Sequence, residues 1–183
     1  MTSETKIIAI VGMPGAGKSV AAEFFKKKGI PVLRFGDQTD IGLKELGMEL
    51  SEANERRYRE KIRQELGMAA MAIKIEPRIN SLKDTNQLII LDGLYSWEEY
   101  HYLIEKFTKL RLLCIYAGSE VRYRRLANRP IRPLTPEEAR SRDFAEIEKL
   151  NKGGPIAIAD KLLVNEGSRE EIEAKLEEYF KEL

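Results

Sequence analysis

Gly12-Met13-Pro14-Gly15-Ala16-Gly17-Lys18-Ser19 decides how this chain is read. It follows the apolar run Ile7-Ile8-Ala9-Ile10-Val11 and precedes a helix-like stretch from Val20 to Lys28. Strand, glycine turn and helix, in that order, are the context in which G-x-x-x-x-G-K-S forms a phosphate-binding loop. The glycines are required because a Cβ forbids several of the dihedrals that wrap backbone closely around a polyphosphate. Amides of the turn and of the helix start then face phosphate oxygens, and the helix dipole favours an anion there. In such a loop Lys18 reaches the β- and γ-phosphates and the Ser19 hydroxyl ligates Mg²⁺. Gly12, Pro14, Gly15, Ala16, Gly17, Lys18, Ser19 and Val20 are therefore the candidate donor-binding residues, with ATP and Mg²⁺ as the expected ligands.

The 183 residues suffice for one domain with a sizeable core. Lys and Arg number 31 against 30 Asp and Glu, a formal charge of +1, so nothing in the balance calls for nucleic acid or an acidic membrane as partner. The single cysteine, Cys114, lies in the strand-like run Leu112-Leu113-Cys114-Ile115-Tyr116 and reads as a core residue; no disulfide framework is possible within the chain, which fits a reducing cytoplasm. The polar start Thr2-Ser3-Glu4 does not read as a signal peptide, and no stretch approaches the roughly 20 apolar residues of a membrane span.

Short apolar runs at Lys6 to Val11, Pro31 to Phe35, Gln87 to Leu91, Leu110 to Tyr116 and Lys161 to Val164 read as strands covered on both faces. Charged, helix-patterned segments separate them. Ser51 to Leu82 is the longest, with Tyr58, Ile62, Leu66 and Ala69 or Ala70 on one stripe. Ser96 with Glu99, Thr135-Pro136 with Glu138, and Ser168 with Glu171 are helix starts. The last helix turns Ile172, Leu176, Tyr179 and Phe180 inward. Alternating strands and helices predict an α/β fold: three layers around a parallel sheet with right-handed crossovers.

Two acids fall at strand ends. Asp92-Gly93 closes Gln87 to Leu91, where a carboxylate supports Mg²⁺, directly or through water, beside the loop serine. Asp37 follows Gly36 after the second strand. The carboxyl ends of parallel strands open on one crevice, so Asp37, Asp92 and Lys18 are expected to share it, with Asp37 orienting an acceptor or taking its proton. Arg122, Arg124, Arg125, Arg129 and Arg132 form a cluster without lysine, and helical spacing puts Arg122, Arg125 and Arg129 on one face. Planar fixed cations suit a lid that offsets charge on a transferring phosphoryl group and excludes water. Asp143 is a candidate to position those arginines through bidentate pairs. The lone His101 does not read as catalytic, and no His/Cys cluster suggests zinc.

Taken together, the loop, Asp92-Gly93 and the Arg122 to Arg129 segment resemble the nucleoside monophosphate kinase superfamily. The chain is most similar to an archaeal-type branch described as adenylate-kinase-related or dephospho-coenzyme A kinase-like. Gly36-Asp37, Ile62-Arg63, Ala159-Asp160 and Asn165-Glu166-Gly167 match segments of that branch, and the likeness covers nearly the whole chain. It implies a five-stranded core, a helical acceptor-binding region of about 37–82 and a lid of about 122–150. It also implies that Arg63 holds an acceptor phosphate and that the Asn165 loop lies against the donor base. Where relatives often carry Arg after the Asp-Gly pair, this chain has Leu94-Tyr95.

The leading expectation is therefore a kinase moving the γ-phosphoryl of ATP to a nucleoside monophosphate-type small molecule. Lys18, Asp37, Arg122, Arg125 and Arg129 would act in transfer, Asp37, Arg63, Asp92 and Gly93 at the acceptor, and Ser19 with Asp92 on Mg²⁺. Dephospho-coenzyme A kinase and a non-transferring ATP-binding regulator are the alternatives. A guanine-specific switch is disfavoured, since Asn151-Lys152-Gly153-Gly154 lacks the Asp of a guanine motif.

Overall fold

A computed structural model describes residues 5–183, so Thr2-Ser3-Glu4 lie outside the described residues. Five strands, β1 (Lys6–Val11), β2 (Val32–Arg34), β3 (Leu88–Asp92), β4 (Leu110–Tyr116) and β5 (Lys161–Val164), form one sheet in the order β2-β3-β1-β4-β5. All four pairings are parallel. β1 is central, and its register sets Ile10 beside Asp92 on one side and Val11 beside Cys114 on the other.

The period-2 alternation of β1 divides the interior in two. Ile7, Ala9 and Val11 join Leu33, Ile89, Leu91, Leu112 and Cys114 on one face, under helices α2 (Asp37–Glu45), α3 (Glu52–Leu66), α4 (Ala70–Lys83) and α5 (Trp97–Lys106). Ile8 and Ile10 join Ile90, Leu113, Ile115 and Leu163 on the other, under α1 (Lys18–Lys27) and α9 (Arg169–Lys181). Continuous apolar strands were needed because both faces are covered. From α9, Ile172, Leu176 and Tyr179 are buried and Phe180 packs partly buried beside them, its ring meeting Phe24 and Phe25 edge-on.

The remaining helices are α6 (Ser119–Ala127), α7 (Pro136–Leu150) and the short α8 (Gly153–Ala157). Ser96, Thr135 and Ser168 cap α5, α7 and α9, each with the reciprocal bond from the glutamate three residues on. Three expectations need correction. Ser51 to Leu82 is two helices, not one, because Gly67 takes a positive φ of 78° at the end of α3 and the chain restarts at Ala70. Leu66, expected on the buried stripe, stands at that break and is exposed, while Tyr58 and Ile62 are buried as expected. Arg129 does not share a face with Arg122 and Arg125: α6 ends at Ala127, and the Arg129 Nε donates to the carbonyl of Arg132, a residue held at φ 51° between two prolines. Among the described residues no helix is long and apolar enough to cross a membrane.

Glu99 gives the fold a pH signature. It is 1 % exposed and accepts from the backbone amides of Tyr95 (2.8 Å) and Ser96 (3.2 Å), yet burial pushes its pKa up to about 7. A carboxyl whose folded pKa is raised favours folding fully below its unfolded value and loses that contribution as pH climbs through the folded one, here on the order of 3 kcal/mol between about pH 4.5 and 7. Glu99→Gln should therefore flatten the fall in melting temperature between pH 5 and 8. A variant with the wild-type slope would contradict the assignment.

Candidate functional site

The loop from Gly12 to Ser19 leaves β1 and enters α1 as the sequence requires. Gly12 (φ 143°) and Gly17 (φ 99°) take conformations that L side chains rarely adopt, and space is closed there too. A Cβ on Gly12 would collide with the Ile115 carbonyl, and one on Gly17 with the Asn165 amide. Within α1, Val20 is an early residue whose amide turns back, to the Gly17 carbonyl at 3.0 Å; the amides before it belong to the helix start, where no intrahelical acceptor exists. Ser19 is exposed on this first turn. Lys18 folds over its own loop, its Nζ donating to the carbonyls of Gly12 (2.8 Å) and Met13 (3.2 Å). Burial first, then the neighbouring Lys152 charge, lower its pKa to about 7, against the opposing pull of Glu146 and Asp92.

Two side chains fix the loop from outside. Arg122, 6 % exposed on α6, donates to the Pro14 carbonyl (3.1 Å) and the Ala117 carbonyl (3.1 Å), and grips Asp143 of α7 through both carboxylate oxygens at 2.9 and 2.6 Å. Gly15 packs against the backbone of Arg122. Tyr123 adds a third bond to Asp143 at 3.0 Å. Asn165, at the end of β5, donates its amide to the Ala16 carbonyl at 2.8 Å. Arg125 in turn holds the Asn165 carbonyl (2.8 Å) and the Gly167 carbonyl (3.3 Å). The expected bidentate role of Asp143 is thus present. Arg122, by contrast, is fully engaged as a tie between loop and α7 rather than presented as a free cation.

The strand-end acids come together. Asp92 is partly buried, which raises its pKa; Lys18 and Arg34 pull it down and the Asp37 charge pushes it up. Those interactions bring Asp37, Asp92 and Lys18 into one electrostatic neighbourhood, as the parallel topology requires. Gly93 follows at φ 92°. Asp37 is the first residue of α2, an element the residue pattern did not reveal, and pairs with Arg78 of α4 at 3.7 Å. With its side-chain amide oriented to satisfy both neighbours, oxygen toward Arg78, Gln38 accepts from Arg78 (2.6 Å) and donates to the Lys74 carbonyl (3.1 Å). Nothing in the spacing of Arg78 advertised this meeting, which depends on how α4 packs on α2. Arg63 of α3 is partly buried and acts on Glu99 of α5.

A second group escaped sequence reasoning. Lys152 is 1 % exposed; its Nζ donates to Glu146 of α7 and sits 4.6 Å from the centre of the Tyr95 ring. Glu146 also accepts from Arg142 Nε at 3.0 Å. The available signal was Asn151-Lys152-Gly153-Gly154: Asn151 takes the left-handed conformation that ends α7 (φ 49°) and returns the chain over it. His101 is exposed, its ring 4.6 Å from Trp97.

The donor set fits magnesium. Mg²⁺ is held by one or two protein oxygens together with substrate phosphates and water, and Ser19 with Asp92 supply such a pair on adjoining elements. Among the described residues no three His, Cys, Asp or Glu side chains gather to hold a metal by themselves.

Comparison with known proteins agrees with this geometry. A protein-family model described as "AAA domain" (AAA_18) matches residues 8–154. A UPF0200 protein of Thermococcus gammatolerans is 33% identical over 174 residues, covering 93% of this chain and 91% of the relative. Among solved structures, a shikimate kinase from Bacteroides thetaiotaomicron superposes with TM-score 0.61 at 16% identity, covering 97% of this chain and 99% of that one. A gluconokinase from Sinorhizobium meliloti 1021 gives TM-score 0.53 at 14% identity over 96% and 97%. At such identities these two structures establish the fold alone, the α/β fold of phosphate-loop kinases. With its glycine loop, its five-stranded parallel sheet and a third of its residues shared with an archaeal relative along nearly its full length, the chain belongs to the UPF0200 family of AAA-domain, P-loop kinase-like proteins.

Proposed function

We propose that the protein is an ATP-dependent small-molecule kinase whose acceptor is a phosphorylated molecule of the nucleoside monophosphate type. The observation that carries this reading is the convergence of Lys18, Asp92 and Asp37 at the carboxyl end of the sheet, beside a glycine loop with Gly12, Gly15 and Gly17 at positive φ. Loop amides and Lys18 would hold the donor phosphates, and Ser19 and Asp92 would hold Mg²⁺, which supplies charge neutralisation on the β- and γ-oxygens when bound. An acceptor oxygen bonds to the γ-phosphorus while the β–γ bridge breaks and ADP departs. Arg34, Arg63 and Arg78 are the cations on the acceptor side, Arg63 the one the family resemblance singles out. Arg122 and Arg125 act by holding the loop and the Asn165 turn, and Arg129 stands outside that group.

A hydroxyl acceptor, as in dephospho-coenzyme A kinase, is a second reading favoured by Asp37. Its carboxylate begins α2 within reach of the Asp92 charge, where it would orient the hydroxyl and take its proton. The two solved neighbours, by their names, phosphorylate shikimate and gluconate, which are hydroxyl acceptors. Labelled ATP screened against nucleoside monophosphates, dephospho-coenzyme A and hydroxy acids separates the readings. Acceptor-dependent ADP release supports a kinase, whereas hydrolysis indifferent to every acceptor supports an ATPase regulator instead.

Three outcomes follow from the geometry. Lys18→Ala should abolish turnover with the melting temperature nearly unchanged, and full activity would refute the donor site. Burial and the Lys152 charge lower the Lys18 pKa to about 7, and a bound polyphosphate would hold it protonated. Mg·ADP binding should then take up a proton above pH 7 and weaken by up to about tenfold per pH unit; calorimetry at pH 6.5 and 8.5 in buffers of unlike ionisation enthalpy reads this directly, and a pH-independent affinity would contradict it. Arg122→Ala leaves the Asp143 carboxylate buried without its ion-pair partner, held by Tyr123, so denaturant unfolding should show a loss of about 3–5 kcal/mol. A change below about 1 kcal/mol would return the pair to the class of weak surface contacts.

A further inference from the structure

A lysine buried to 1 % exposure calls for a reason, because lysine is almost never enclosed unless paired, and an apolar residue of similar volume would serve packing as well or better. Lys152 is paired, with Glu146, but that pairing does not account for its position. Its ammonium lies over the Tyr95 ring, and Tyr95 itself crowds Gly93, with 3.2 Å from its ring to the point a Cβ on that glycine would occupy. Lys152 therefore stands above the Asp92-Gly93 turn, at the end of the strand next to the one that carries the glycine loop. Its charge is also the largest electrostatic influence on Lys18.

The arginines expected to meet the moving phosphoryl group are committed elsewhere: Arg122 to Asp143 and the Pro14 carbonyl, Arg125 to the Asn165 and Gly167 carbonyls, Arg129 to the Arg132 carbonyl. We propose that Lys152 is a second phosphate-contacting lysine, which meets the transferring phosphoryl group and is held on Glu146 while the donor site is empty.

The surroundings suit that exchange. Glu146 keeps Arg142 as partner at 3.0 Å when Lys152 turns away, so no carboxylate is left bare. The backbone of Lys152 is fixed by its amide bond to the Glu146 carbonyl (3.3 Å), and Gly154 lies hard against Trp97 of α5. Only side-chain rotation is then needed to carry the ammonium from carboxylate to phosphate. As the bridge to ADP breaks and the acceptor oxygen takes the phosphorus, negative charge gathers on the equatorial oxygens, and a cation in a dry pocket acts most strongly at that point.

This inference rests on the phosphoryl-transfer reading, and its test separates the two. Binding of Mg·ADP is measured by calorimetry with and without aluminium fluoride, which mimics the transferring group. Wild type should bind the fluoride complex at least about tenfold more tightly than ADP alone. Lys152→Met should keep ADP affinity within about threefold yet lose most of that gain, and Lys152→Arg should retain a substantial part of it. Should Lys152→Met fail to fold, Lys152→Met/Glu146→Gln removes both charges together and is held to the same expectation. An undiminished gain in the methionine variant, or equal weakening of both complexes, would overturn the role of Lys152 while leaving the kinase reading intact. Failure of the wild type to bind Mg·ADP at all would overturn both.

Discussion

The rest of this molecule depends on one constraint: a turn of backbone amides must stay open to an anion while packed against protein on its other sides. Gly12 and Gly17 meet the conformational half of that requirement, and neighbouring atoms at Ile115 and Asn165 leave no room for any other residue. The other half is met by side chains that occupy the loop's carbonyls, while the Ala16 amide bonds back to the Met13 carbonyl at 3.2 Å. Lys18 takes those of Gly12 and Met13, Arg122 that of Pro14, and Asn165 that of Ala16. Each donor comes from a different element, so β1, α1, α6 and the end of β5 must all be in register for the loop to hold its shape. Such preorganisation lets electrostatic stabilisation act without reorganisation at the moment of transfer.

Charge is handled differently on the two sides of the crevice. Around the glycine loop, Arg122–Asp143 and Lys152–Glu146 are buried ion pairs, costly to desolvate. Arg122–Asp143 ties α6 to α7 beside the loop. At the end of the sheet, Asp37 and Arg78 are about one-third exposed and loosely paired at 3.7 Å.

The fold was legible because its signals are local. Five apolar runs became five strands within a residue or two, and three Ser/Thr–Glu pairs became three capping boxes, since both depend on spacing along the chain alone. The loop and the two strand-end acids were readable for the same reason, with parallel topology supplying the convergence of Asp37 and Asp92. What stayed hidden depends on tertiary geometry. Arg78 carries no periodic or motif signature and meets Asp37 only because α4 packs on α2; Lys152 carries only the turn signal of Asn151-Lys152-Gly153-Gly154, and it reaches Glu146 because Asn151 reverses the chain. The arginine cluster is a related case. Composition shows how many cations are present, but only packing shows that Arg122 and Arg125 are already bound to carbonyls and carboxylate.

An amide-resolved NMR titration with Mg·ATP tests whether the glycine turn binds nucleotide phosphates. The largest shifts should fall at the backbone amides of Gly15, Gly17, Lys18 and Ser19, with smaller ones at Asp92 and Lys152. Shifts gathered instead at the opposite end of the sheet, around the cleft of about 590 Å³ lined by Lys83, Lys106 and Lys109, or no shifts at millimolar nucleotide, would contradict it.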